Sequence, residues 1–252
     1  MEIRIADDRY ALGKSAARHI AGVLREVIAQ KGHARIVLST GASQFDTLEA
    51  LTAEEGIAWD CVEMFHLDEY IGLPAEHPAS FRRYLQKRFV DRVAPLAAVH
   101  FVDGTPENMA ELTKELRRAP IDIGLIGIGE NGHIAFNDPP ADFDTEDAYI
   151  VVNLNETCKK QQLGEGWFAS MEDVPKQAVS MTAYQIMRCE RIVSCVPYAV
   201  KAEAVEKTLC AETVTNLVPA TLLKTHPDFI LYLDRDSASR ILMSSATVNS
   251  DR

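Results

Sequence analysis

The chain is poor in the features that mark several large functional classes. Its 26 Lys and Arg are outnumbered by 37 Asp and Glu, and the net charge of -11 argues against a nucleic-acid surface. A phosphate site needs only local positive potential, so a small anionic substrate stays open. The five cysteines, Cys61, Cys158, Cys189, Cys195 and Cys210, form no CxxC pair and no metal spacing. Buried, reduced thiols in a cytosolic protein and no metal site are the expectation. No apolar run approaches the roughly 20 residues that span a bilayer, and MEIRIADDRYALG at the amino terminus lacks a basic-then-apolar signal. These absences predict a cytoplasmic protein with no membrane or nucleic-acid partner. Without a Pro- or Ser-rich linker, internal repeat or low-complexity stretch, residues 1–252 read as one domain with a substantial core.

What is present alternates. Strand-like segments lie at Glu2 to Ile5, Arg35 to Leu38, Val62 to His66, Val99 to Val102, Asp122 to Ile128, Ile150 to Leu154, Arg191 to Val196 and Phe229 to Leu233. Helical patterns lie between them, at Asp8 to Gln30, Ser80 to Arg88, Glu107 to Arg118 and Ala199 to Leu209. Strands alternating with amphipathic helices predict an α/β, doubly wound, mostly parallel sheet, with Ile150 to Leu154 a candidate for an antiparallel side element.

Three strand ends carry candidate chemistry, because ligands of open α/β sheets bind beyond the carboxyl ends of the strands. IDIGLIGI, Ile121 to Ile128, runs into GIGENGHIAFNDP, which packs Asn131, His133 and Asp138 into eight residues. The Gly127, Gly129 and Gly132 spacing alone would also suit a dinucleotide turn. In MFHLDEYIGLP, a strand runs into the adjacent acids Asp68 and Glu69. Neighbours on an extended segment point to opposite sides, so one acid faces the crevice and the other pairs with a cation or backbone donor. His66 either supports Asp68 or packs. In IVLSTGASQFDTL, Ile36 to Leu48, the loop amides and the following helix start suit a phosphate, with Thr40 and Ser43 adding hydroxyls. The plainer alternative makes Ser43 a helix N-cap. This loop has neither the Walker GxxxxGK[ST] pattern nor GxGxxG spacing.

Together these segments resemble the glucosamine-6-phosphate deaminase (glucosamine-6-phosphate isomerase) family. HLDEYIGLPAEHPASF at His66 to Phe81 is similar to that family's MDEYVGLP segment, GIGENGHIAFNDP to its GxGxxGHIAFNEP loop, and STGASQ to its TGSTP or TGGTP phosphate loop. VPKQAVSM at Val174 to Met181, KAEAV at Lys201 to Val205 and LLKTHP at Leu222 to Pro227 follow in the family's order. The resemblance implies a Rossmann-like sheet flanked by helices, with a small side element. It implies conversion of an amino-sugar phosphate, glucosamine 6-phosphate first among them, to fructose 6-phosphate and ammonia, without metal or organic cofactor. Asp68 would move the proton between C2 and C1, and His133 would open the ring, with Asn131 and Asp138 beside it. Thr40, Gly41, Ala42, Ser43, Glu69 and Lys201 would bind substrate and its phosphate.

Two departures stand out. Asn131 replaces the family's usual acid, and Asp138 its usual Glu. The family's phosphate-binding arginine has no counterpart in NETCKKQQLGEGWF, Asn155 to Phe168, where Lys159, Lys160 or Gln162 are the substitutes on offer and Gly164 to Phe168 suggests a lid or pocket wall. A 6-phosphogluconolactonase is the rival enzyme, although its loop reads DGHTASLFP, and a sugar-phosphate sensor is the non-catalytic rival. Effector regulation is not expected, and a homo-oligomer is as open as a monomer.

Overall fold

Ten strands and seven α-helices build two sheets in a computed structural model, which describes residues 1–242 apart from Ala94 and Glu165. The strands are β1 (Glu2–Ala6), β2 (Ala34–Leu38), β3 (Val62–His66), β4 (Asp68–Tyr70), β5 (Ala98–His100), β6 (Ile123–Leu125), β7 (Tyr149–Asn153), β8 (Gln177–Met181), β9 (Arg191–Val196) and β10 (Phe229–Asp234). The helices are α1 (Arg9–Lys31), α2 (Phe45–Thr52), α3 (Phe81–Arg88), α4 (Pro106–Arg118), α5 (Glu156–Gly164), α6 (Ala183–Ile186) and α7 (Ala202–Cys210).

Seven strands pair in the order β1-β10-β9-β6-β2-β3-β5, and every pairing is parallel. The remaining three form an antiparallel sheet, β4-β8-β7. Ile36 and Leu38 pack with Leu12, Ile20 and Leu24 of α1 on one face of β2. Val37, between them, packs with Leu112 and Leu116 of α4 on the other. That alternation on a strand buried along its whole length is the signature of a sheet covered on both faces. Helix starts follow the local chemistry: Asp8, Ser80 and Thr105 each accept an amide hydrogen bond at the N-cap of α1, α3 and α4. Gly32 closes α1 at φ 77, a left-handed conformation that favours glycine.

Several expectations are corrected. The strand at Asp122 to Ile128 shortens to Ile123–Leu125, because the chain leaves the sheet to form the glycine turn. β4 and β8 went unpredicted. β4 is a three-residue strand bearing two acids, and it is separated from β3 by Leu67 alone. The helix at Ala199 begins as a 3-10 turn, Ala199–Lys201, and becomes α only at Ala202. Cys158, Cys189 and Cys195 are buried, but Cys61 is half-buried and Cys210 exposed. None of the five cysteines is in a disulfide. No described helix is long and apolar enough to cross a membrane.

Strand order reverses between β2 and β6: β3 continues on one side of β2, whereas β6 and β9 lie on the other. Both strands end in glycine-containing loops, so a crevice opens between them.

Candidate active site

The crevice at this switch point is lined by Ser39 to Ser43 after β2, Asp68 of β4, Gly127 to Glu130 and His133 after β6, and Tyr198 and Lys201 after β9. Phe81, Phe136 and Gln162 close it on the side-sheet flank. Of the residues singled out in the sequence, Thr40, Gly41, Ala42, Ser43, Asp68, His133 and Lys201 come together here.

The loop after β2 is held open by its neighbours. Gly41 adopts φ 100, and its carbonyl accepts from the Tyr84 hydroxyl at 2.9 Å. The Ala42 carbonyl accepts from the Tyr198 hydroxyl at 3.3 Å. Ser43 is not the N-cap of α2. That position falls to Gln44, whose side chain does not cap and instead donates through Nε2 to Ser43 Oγ and to the Cys195 carbonyl. A 3-10 turn at Ala42–Gln44 precedes α2, which displaces the cap by one residue from its expected place.

The turn after β6 is built around the imidazole. A Cβ on Gly129 would lie 2.2–2.4 Å from ring atoms of His133, so the backbone passes under the ring where only glycine fits. Gly132 takes φ 84, and its carbonyl accepts from the Ala220 amide at 2.8 Å. Asn137 ties the far end of the turn to Ile134 and to the Met181 carbonyl of β8. His133 Nδ1 sits 2.7 Å from Asn131 Oδ1 and 3.1 Å from Asp138 Oδ1. Two oxygen acceptors at Nδ1 put the proton there and leave Nε2 for substrate. Asn131 Nδ2 donates to the same Asp138 oxygen at 3.0 Å, closing the triangle. Burial acts to raise the Asp138 pKa. The hydrogen bond and charge of His133, with donation from Asn131 and Cys158, outweigh burial and hold it below the usual carboxylate range.

Asp68 and Glu69 divide as alternation requires. Asp68 faces the crevice, and neither of its oxygens has a hydrogen-bond donor among the described residues. Burial, then the charge of Glu69, pushes its pKa up to about 8. Glu69 is fully buried and does not line the crevice, which corrects its assignment to substrate binding. Its oxygens accept from the amides of Tyr70, Phe81 and Arg82, the Ser80 hydroxyl and Arg82 Nε. His66 packs rather than supports: its ring is buried edge-on to Phe101, neither nitrogen has a hydrogen-bond partner among the described residues, and burial lowers its pKa to about 3.

Gln162 is the one of the three offered substitutes that reaches the crevice. The Tyr70 hydroxyl donates to its Oε1 at 2.6 Å, and Tyr70 is itself packed among Phe81, Phe136 and Phe168. Lys160 is solvent-exposed, 3.9 Å from Glu156, and Lys159 does not line the crevice. Within Gly164 to Phe168, Glu165 lies outside the described residues. Phe168 stacks on His77 and packs against Tyr70, a wall behind the pocket. Sequence reasoning missed Tyr198, Glu130 and Phe136. Tyr198 follows the carboxyl end of β9, which the strand-end rule would have flagged, and it sits at φ 83. Among the described residues no group of three or more His, Cys, Asp or Glu could hold a metal ion.

Residues 7–231 match the sequence pattern of the family described as glucosamine-6-phosphate isomerases/6-phosphogluconolactonase. A glucosamine-6-phosphate deaminase of Staphylococcus epidermidis is 40% identical over 235 residues, covering 89% of this chain and 95% of that protein. One of Shouchella clausii is 36% identical over 228 residues, covering 87% and 90%. Among solved structures, a monomeric glucosamine-6-phosphate deaminase superposes with a TM-score of 0.85 at 29% identity, covering 95% of this chain and 99% of the other. The 6-phosphogluconolactonase of Trypanosoma brucei reaches 0.75 at 17% identity over 95% and 98%, a likeness of fold.

Proposed function

The chain belongs to the family of glucosamine-6-phosphate isomerases and 6-phosphogluconolactonases, and from that premise we propose that it deaminates glucosamine 6-phosphate to fructose 6-phosphate and ammonia. The observation that carries this reading is the meeting of Asp68 and His133 in one crevice with the Ser39 to Ser43 loop and Lys201, in a chain 40% identical to a glucosamine-6-phosphate deaminase.

The phosphate binds the loop amides and the Thr40 and Ser43 hydroxyls, with Lys201 supplying the positive charge. His133 Nε2 takes the proton from the anomeric hydroxyl and returns it to the ring oxygen, which opens the pyranose to the aldehyde. Asp68 removes the C2 proton while the substrate's own ammonium gives a proton to O1, and a neutral cis-enolamine forms. The same carboxyl returns that proton to C1, leaving an iminium at C2. Water adds to C2 and ammonia departs, giving the ketose. A base shuttling between adjacent carbons works best with a pKa near the working pH, and the buried carboxyl of Asp68 at about 8 fits that need. kcat/KM therefore rises with pH until Asp68 is ionised. Every group in this scheme comes from one chain, so a monomer suffices. Residues 1–252 act as one unit, and the five unpaired cysteines suit a reducing, cytoplasmic setting.

The test is release of ammonia and fructose 6-phosphate by the purified, metal-free protein from glucosamine 6-phosphate, with galactosamine 6-phosphate and 6-phosphogluconolactone alongside. Equal ammonia and ketose from glucosamine 6-phosphate supports the reading. Turnover of only the galactosamine epimer changes the substrate, and hydrolysis of the lactone alone overturns the reaction.

A further inference from the structure

Glu69 touches no substrate-facing surface, yet it is among the most completely bonded side chains beside the site. Oε1 accepts from the Tyr70 amide at 2.9 Å and the Phe81 amide at 3.2 Å. Oε2 accepts from Ser80 Oγ at 2.9 Å, the Arg82 amide at 2.8 Å and Arg82 Nε at 3.3 Å. All five partners are donors, the surroundings that a carboxylate requires. Three of them, the Ser80 hydroxyl and the amides of Phe81 and Arg82, form the amino end of α3, where the helix dipole favours an anion. The Arg82 guanidinium is itself anchored to the Leu73 carbonyl at 2.8 Å. So much fixing of a side chain next in sequence to Asp68 exceeds what starting an eight-residue helix needs, since Ser80 already caps it.

We infer that Glu69, clamped by Arg82 and the amino end of α3, is a positioning residue that tunes the proton affinity of Asp68 by placing an ordered negative charge beside it. The inference rests on Asp68 being the base of the proposed reaction.

The other groups around Asp68 leave this role to Glu69. His66 on β3 is neutral above about pH 3, because burial and the nearby Arg82 disfavour its cation. Tyr149 on β7, which feels the charge of Asp68, is buried and pushed well above the usual phenol range, so it is neutral as well. Ser180, opposite Asp68 on β8, carries no charge. His133 and Lys201 line the same crevice, but the shift of Asp68 comes from burial and the charge of Glu69. Arg82 moderates the effect: its Nε, 3.3 Å from Glu69 Oε2, offsets part of the Glu69 charge.

Carboxyl-carbon NMR titration of Asp68 in the ligand-free protein, together with the pH profile of kcat/KM, tests this on Glu69→Gln and Arg82→Gln. Glu69→Gln is expected to lower the Asp68 midpoint, and the acid limb of the profile, by about one pH unit. Arg82→Gln is expected to raise both by about half a unit. Gln at 69 turns an amide toward five donors and can fail to fold. Arg82→Gln leaves the carboxylate and its backbone donors in place, so it keeps the inference open to refutation where Glu69→Gln does not fold. A midpoint that stays put in Arg82→Gln, or that falls, overturns the inference. The titration needs no turnover, so a shifted midpoint in a protein without deaminase activity would count only against the proposed reaction.

Discussion

Replacing Asp68 with Asn should abolish turnover and make the protein more stable, and the second effect follows from the fold. Asp68 is 6% exposed, has no hydrogen-bond donor among the described residues, and its pKa is raised from 3.8 to about 8. An unfolded chain loses this proton near pH 4, whereas the folded chain keeps it until about pH 8. For an acid whose folded pKa is raised, stability is highest below the unfolded value and falls as pH rises through the window between the two. Each pH unit in that window costs about 1.4 kcal/mol, which gives about 4 kcal/mol at pH 7. Water in the open crevice screens part of this, so a gain of about 2 to 4 kcal/mol for the Asn variant at pH 7 is expected. That corresponds to a rise in Tm on the order of 10 °C. The gap should shrink to about half a kcal/mol at pH 4, where the unfolded Asp68 is about half ionised, and close only below about pH 3. Urea unfolding at pH 4, 5.5, 7 and 8 measures the difference directly, and isothermal calorimetry with substrate confirms that the crevice still binds. An Asn variant that is equally stable at every pH, or less stable at pH 8, would refute the argument from burial and with it the raised pKa.

Other substitutions probe the rest of the site. Gly129→Ala drives a methyl to within 2.2–2.4 Å of the His133 ring. The ring must swing by an ångström or more, so kcat should fall by about 100-fold, while calorimetry shows a loss of about 1–3 kcal/mol. Asp138→Asn removes the charge beside His133 Nδ1. Because the Asp138 pKa is depressed, its contribution is present above the unfolded value and lost as pH falls. Melts should therefore show the Asn variant less stable at pH 7 and a gap that closes as pH falls through the depressed Asp138 pKa. Tyr70→Phe releases the Gln162 carboxamide, and a several-fold rise in KM with kcat little changed is the expected kinetic result. Lys201→Gln should raise KM for the phosphorylated sugar at least tenfold, and titration with inorganic phosphate should show the same loss.

How the site came to be legible differs from residue to residue. The strand ending at His66, the glycine turn and the loop after β2 could be read directly, because buried strands are β-branched and short and the turns that end them demand glycine and small polar residues. Alternation along an extended segment correctly split Asp68 from Glu69, yet it could not say what would hold the second acid. Four of its five donors lie 11 to 13 residues away at the start of α3. Gln162 was only one of three candidates, since its entry to the crevice depends on Tyr70, 92 residues distant.

The sequence by itself determined the parallel α/β architecture, the three strand ends that line the crevice and the family, because periodicity and turn chemistry are local properties of the chain. Tertiary structure decided the rest. It set the switch between β2 and β6 that brings the loops together, the antiparallel β4-β8-β7 sheet, and the position of Tyr198 over the loop. It also produced the raised pKa of Asp68. Burial and the placing of one charge beside another are properties of packed space, and a linear chain does not carry them until it has folded.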